Sequence, residues 1–419
     1  MDQQMSLNVR IRLSAMMFLQ YMMLPVWWFP LATYLENVGL DAWKPLVMST
    51  MALGCLSSPL IGMFADRHFA SQYVLAALNL ISGILLLVAA QAAAGTAVFV
   101  ALLLAMLAYM PTWGLTSAIS MTHAPAEKFP QIRVFGSIGW VAAGIFSIVA
   151  FYLLGEKKID GTKIVFYCGA AVSFVGAAFA FMIPHTPPPA KGQKASIVDV
   201  LGLRSFSLFK YPDFALYVAA SILVTVGFSI YWSYFSLYLT DKGVSLLTFT
   251  QNLGQAVEIL LMLIVPIAIV KIGLKWAMVV GLLAQLVRYG ALLIGEAAGA
   301  EMAPAYVAIL VHGLIFGFFF VGGQIYVDRR APKEMRAQAQ GFMFLATFGV
   351  GLLIGNFLWD WVIKVYTIDG IRQWQPIWLW TTIVSALVLV FFAVFFRDKT
   401  SPVDTTEVAT AEIEEPPVL

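Results

Sequence analysis

Glu258 lies about ten residues into the apolar stretch 248–270, in QNLGQAVEILLMLIVPIAIV. An ionised acid in hydrocarbon is costly, so an acidic residue kept there is by default a functional one. It can exchange a proton with a solvent-filled crevice or accept hydrogen bonds from a polar solute. Gln255, three residues earlier, shares its helical face and adds an amide. Arg288 is the one basic residue well inside an apolar run, so a structural ion pair between Glu258 and Arg288 is the competing reading. His68, His123, His185 and His312 are scattered, and no HExxH, GxSxG or CxxC occurs. Neither a metal site, a cofactor nor an enzyme is expected. His312 itself, inside an apolar stretch, is open to three roles: a gate, a ligand contact or a hydrogen-bonded packing residue. Asp360, between Trp359 and Trp361 near the end of its stretch, reads as a structural residue at headgroup level.

The elements that hold these residues follow from composition. Of 419 residues, 61% are apolar and 11% charged, far from the half and quarter usual in soluble domains. Stretches long enough to cross about 30 Å of hydrocarbon fall at 11–37, 45–65, 72–93, 96–121, 132–154, 163–183, 213–239, 248–270, 275–295, 303–327, 337–364 and 375–396. These runs are unbroken for twice the length of a barrel strand, which excludes a β-barrel. The expectation is an all-α membrane protein of twelve transmembrane helices in two six-helix halves, 1–183 and 213–396. A cytoplasmic linker, 184–212, joins them, and the acidic tail 397–419 is expected to be disordered. With the N-terminus inside, 17 of the 25 Lys and Arg fall on the inner side, so both termini are expected in the cytoplasm. The basic N-terminus leads into a run too long for a signal peptide. A net charge of +2 with no basic run excludes nucleic acid as partner. Cys55 and Cys168 lie in apolar stretches as packing residues.

Two six-helix halves are the layout of major facilitator transporters, whose solute site lies at the midplane between halves that rock. No GxxxxGK[ST] loop is present, so the energy source is a gradient or none. A receptor or scaffold would need a folded cytoplasmic module that the linker and tail are too short to supply. Gly62-Met63-Phe64-Ala65-Asp66-Arg67-His68 resembles the GxxxDR segment between helices 2 and 3 of the major facilitator superfamily, where it forms a charge clasp; a plain polar turn is the alternative. Arg133 begins a span whose Gly136, Gly139 and Gly144 permit close helix approach; it either snorkels to the headgroups or faces a wet cavity.

More specific are Ala108-Tyr109-Met110-Pro111-Thr112 with Gly114-Leu115, and Phe129-Pro130-Gln131-Ile132-Arg133-Val134-Phe135-Gly136-Ser137-Ile138-Gly139-Trp140. With Gln324-Ile325-Tyr326-Val327-Asp328, Arg336-Ala337-Gln338-Ala339-Gln340-Gly341, Asp369-Gly370-Ile371 and Trp374-Gln375, they resemble the nucleoside:proton symporter family over nearly the whole membrane region. The resemblance implies nucleoside import across the inner membrane by proton symport with alternating access. It places Arg133, Ser137 and Trp140 on one helical face as substrate contacts, joined by Ser229, Trp232, Gln255, Glu258, His312 and Phe316. Glu258 would carry the proton, and Asp66, Arg67, Asp328, Arg329 and Arg330 would gate the inner face. The partners implied are a small-molecule solute, a proton and membrane lipid, with the chain acting as a monomer. The sequence departs from the family at Gly317, where relatives carry Asp, and at Ser229-Ile230-Tyr231-Trp232, where some relatives place amides. The same fold carrying a glycoside or amino sugar, without proton coupling, is the competing function.

Overall fold

The structure is a computed structural model and describes residues 5–125, 128–153, 159–192, 203–332 and 335–400. Most of the expected tail, 401–419, lies outside the described residues. Among the described residues, ten helices are long and apolar enough to cross a membrane. They are Leu7–Asn37 (span 1), Asp41–Arg67 (span 2), Ser71–Gln91 (span 3), Gly95–His123 (span 4), Phe129–Leu153 (span 5), Pro212–Asp241 (span 7), Leu274–Ala298 (span 9), Met302–Arg330 (span 10), Gln338–Val365 (span 11) and Trp374–Phe395 (span 12). The shorter apolar helix Ile164–Ala180 is span 6, and the pair Leu247–Leu261 and Val265–Ile272, bent by 56°, is span 8. The twelve apolar stretches of the sequence therefore all become helical. Spans 1 to 6 pack mainly on one another, and spans 7 to 12 likewise.

One expectation needs correction: span 8 is not continuous. Pro266 lacks an N–H and its ring collides with the carbonyl four residues back, so the α-helix stops at Leu261 and restarts at Val265. Pro111, inside span 4, is handled differently. It leaves the Leu107 carbonyl without its helical donor, and the Ser57 hydroxyl of span 2 donates to it at 2.7 Å. Span 4 thus runs unbroken past its proline.

Many of the bonds that join the two halves gather on the face opposite the linker. Thr33 and Thr240 hydroxyls lie 3.2 Å apart, and the Asn356 amide donates to the Met48 carbonyl at 2.8 Å. Between spans 11 and 12, Thr367–Ile368 and Ile371–Arg372 form a two-stranded hairpin with Thr367 opposite Arg372. Its turn residues Asp369 and Gly370 have φ of 50° and 78°, the left-handed pair that an Asp-Gly turn supplies. The hairpin aims Arg372 across the seam, where it contacts Glu36 of span 1 and donates to both carboxylate oxygens of Asp241 at 2.8 Å. Asp160, before span 6, accepts from Ser147 and Thr248 hydroxyls, each at 2.8 Å, and from the Thr248 backbone N–H at 3.2 Å. That carboxylate caps the start of span 8 from the other half. Burial raises the Asp160 carboxyl above its ordinary range, and the bonds from Thr248 and Ser147 pull the other way.

On the linker face, residues 186–190 follow the N-terminal half: Ser71 N–H donates to the Thr186 carbonyl at 2.9 Å and Ala190 N–H to that of Asp66 at 2.8 Å. A small open-sided pocket lined by Tyr217, Phe316, Phe320, Gln324, Gln340 and Phe344 lies in the C-terminal half toward this face. The inter-half bonds at Thr33–Thr240 and Asn356–Met48 thus lie on one face and this pocket toward the other. Cysteines at 33 and 240 are therefore expected to cross-link under mild oxidation, read by mass spectrometry of the purified protein; absence of the linked peptide would contradict the closed seam.

Candidate functional site

Two glycines bring spans 8 and 10 together at the carboxylate. A Cβ on Gly313 would stand 2.5 Å from Glu258 Cα, and one on Gly254 would stand 2.6 Å from the Ile309 carbonyl oxygen. Only hydrogen fits at these positions, so the two backbones touch and fix Glu258 and His312 side by side. Both are buried. The Gln255 amide donates to Glu258 Oε2 at 2.7 Å. His312 Nε2 lies 3.5 Å from the same oxygen, within ion-pair reach but too long for a good hydrogen bond.

Arg288 does not pair directly with Glu258, which corrects the ion-pair reading of these two residues. Its Nη2 donates to His312 Nδ1 at 3.1 Å and its Nε to the Ala308 carbonyl at 2.9 Å. The guanidinium lies over the Tyr231 ring, 3.8 Å from its centroid, a cation–π contact strengthened by burial. The imidazole thus sits between the cation and the acid, hydrogen-bonded and packed among rings. It stacks on Tyr231 at 5.5 Å, on Trp232 at 6.2 Å and on Phe316 at 6.2 Å.

From this cluster a ladder of rings crosses into the N-terminal half. Trp232 meets Trp140 at 5.7 Å, Trp140 meets Trp113 at 6.2 Å, and Trp113 stacks on Tyr21 at 5.3 Å. Arg133 closes the far end, 4.2 Å above the Tyr21 ring, so it points inward along its own half rather than out to headgroups. Ser137, one turn on, is half-buried. The indole N–H groups of Trp113, Trp140 and Trp232 are buried without a hydrogen-bond partner among the described residues. Unpartnered buried donors are uncommon, and these three project from the ladder joining the halves. The cavity meets the cluster through Phe316. Phe316 and Phe320 belong to the π-helical turn Ile315–Val321, and Thr347 and Phe348 to a second, Leu345–Gly351. Such turns inside α-helices recur at functional sites.

The other expected residues stand apart. Ser229 donates to the Val226 carbonyl of its own helix at 2.8 Å and fills the space above Gly355 of span 11, so it belongs to helix packing. Arg330 is bound within its own half, donating to Asp213 at 2.8 Å and lying over Tyr211 at 3.6 Å. Asp328 pairs with Arg336 at 3.4 Å, and Arg329 ends the same helix. Asp66 and Arg67 close span 2 on the linker face, half-buried. Asp360 is held by Lys364, one turn on. Gly317 faces Val265 and Met262 of span 8. Sequence reasoning missed Tyr21, Trp113 and the Arg288–His312 bond. Trp113 had a signal, four residues after Tyr109 on one face of span 4; the bond depends on how spans 9 and 10 are rotated.

The family model described as nucleoside H+ symporter matches residues 7–401. The Escherichia coli K12 protein YegT is 32% identical over 415 residues, covering 96% of this chain and 97% of its own. The nucleoside permease NupG of the same organism is 27% identical over 416 residues, covering 94% and 97%. A crystal structure of NupG superposes with a TM-score of 0.82 at 27% identity, over 94% of this chain and all of that one.

If the glycine contact sets the acid–imidazole geometry, Gly313→Ala should lower stability by about 1–3 kcal/mol, the usual range for overpacking a filled contact. Thermal unfolding in detergent reads this, and an unchanged midpoint would contradict the contact.

Proposed function

The chain belongs to the nucleoside H+ symporter family, a family of membrane transporters rather than enzymes, and from that premise we propose that it imports nucleosides across the inner membrane together with a proton, by alternating access. The observation that carries this reading is Glu258. At membrane depth its carboxylate is joined to Gln255 and faces His312, at the end of an aromatic ladder with unpartnered N–H groups. A nucleoside offers what such a site takes: a flat base to stack on indole and phenol faces, ring acceptors for N–H donors, and sugar hydroxyls for a carboxylate or amide.

In the proposed cycle the linker and both termini face the cytoplasm. With the site open outward, Glu258 takes up a proton, which removes an expensive charge and lets the solute settle against Gln255, His312, Phe316, Trp140 and Trp232. Arg133 and Ser137 hold it from the other half. The halves then rock to the state described above, sealed outside by the Glu36–Arg372–Asp241 and Asp160–Thr248 contacts. Its cavity opens inward. Loss of the proton to the less acidic cytoplasm restores the carboxylate and favours release. In the opposite state Asp66 and Arg67 of one half and Asp328 and Arg329 of the other close the cytoplasmic face, with Arg330 fixing the end of span 10. Each chain holds a complete pathway and works as a monomer.

Uptake of radiolabelled uridine and adenosine in cells lacking other nucleoside carriers is expected to be saturable and not displaced by saccharides; no saturable uptake would remove the assignment. For Glu258→Gln, pH-driven accumulation is expected to fall roughly tenfold or more, each tenfold step being about 1.4 kcal/mol, with exchange of bound solute partly retained. Unchanged accumulation would reassign the carboxylate to structure.

A further inference from the structure

Arg288 is fully buried and meets no carboxylate among the contacts described above, which is unusual for a guanidinium. Its Nη2–H points at His312 Nδ1. An arginine only donates, so Nδ1 must accept, and the ring proton of the neutral imidazole then belongs on Nε2. Nε2 is the nitrogen that faces Glu258, and it has no hydrogen-bonded partner among the described residues. We infer that Arg288 is a positioning residue: it locks His312 as the neutral Nε2–H tautomer, a fixed donor toward Glu258 and its solute.

The same bond keeps the imidazole from becoming a second proton carrier. Protonating Nδ1 would set two donors against each other beside a buried cation. The charged and titratable groups around His312 are Glu258 on span 8, Arg288 on span 9 and Tyr231 on span 7, with Arg133 of span 5 acting on Glu258 from the other half. Of these, Glu258 is left to exchange the proton. Span 10 thus contributes a fixed hydrogen-bond donor to the site, and at Gly317 it has no carboxyl to titrate. The inference deepens the transport reading and rests on it for the role of the donor, whereas the tautomer is a property of the folded protein alone.

Two measurements test it. In full-length protein labelled with 15N-histidine, with the His312 signals assigned by their loss in His312→Gln, Nε2 should be protonated and Nδ1 unprotonated across the range where an ordinary imidazole titrates. A Nδ1–H tautomer or an imidazolium would overturn the inference. In transport, Gln can place its amide where Nε2 stands, whereas Asn reaches only the Nδ1 position. His312→Gln should keep KM within about threefold of the parent, and His312→Asn should raise it roughly tenfold, the size of one lost hydrogen bond. Equal or better transport by His312→Asn would contradict the assignment. Arg288→Met should add a second ionisation to the pH profile, and Arg288→Lys should remove it again; a profile identical to the parent in Arg288→Met would count against the lock. Should Arg288→Met not fold, the two His312 variants and the tautomer decide. If the parent protein itself moves no nucleoside, the functional reading falls while the tautomer still answers for Arg288.

Discussion

A carboxyl group at membrane depth has to have its charge answered by protein, proton or water, because the hydrocarbon answers none of it. In this protein Glu258 has one amide, from Gln255, and one imidazole edge held just beyond hydrogen-bond length. The nearby cation is not spent on it: Arg288 reaches His312 and stops there. A direct buried ion pair would fix the acid as a permanent anion. The observed arrangement leaves it without a direct Lys or Arg partner among the described contacts, as the proposed symport requires.

The rest of the fold can be understood as support for that placement. Gly254 and Gly313 let spans 8 and 10 touch, so the acid and the imidazole share one rigid contact. The break before Pro266 ends the first helix of span 8 one turn beyond Glu258. The capping of span 8 by Asp160 ties that same helix to the other half. In the proposed cycle, movement between the halves would reach the segment bearing the carboxyl through helices moving as rods. The aromatic ladder from Tyr21 to His312 crosses the same boundary.

Much of this was legible in the sequence, for identifiable reasons. Hydropathy located the twelve helices because each had to satisfy its own backbone in lipid. Glu258 and Gln255 were legible because a three-residue spacing fixes a shared helical face. Asp369-Gly370, recognised as part of a family motif, is a turn that aims Arg372 across the seam opposite the linker. What was not legible depended on rotation of one helix against another. Ser229 occupies the run where a solute contact was expected, yet its side chain is turned toward Gly355. Arg288 has the charge to pair with Glu258, but the packing of span 9 brings it to the far edge of His312. The gate residues were expected from the GxxxDR motif and the family resemblance, which do not fix pairing, and Arg330 is engaged with Asp213 and Tyr211 inside its own half.

The central claim is that cargo and proton meet at Glu258, and the most direct measurement is of the proton itself. In proteoliposomes of the purified protein without an imposed gradient, addition of a transported nucleoside should drive protons inward, seen as alkalinisation of a weakly buffered external medium, and the Glu258→Gln protein should give none. Nucleoside entry with no proton movement in the parent protein, or the same proton movement in the variant, would contradict the account.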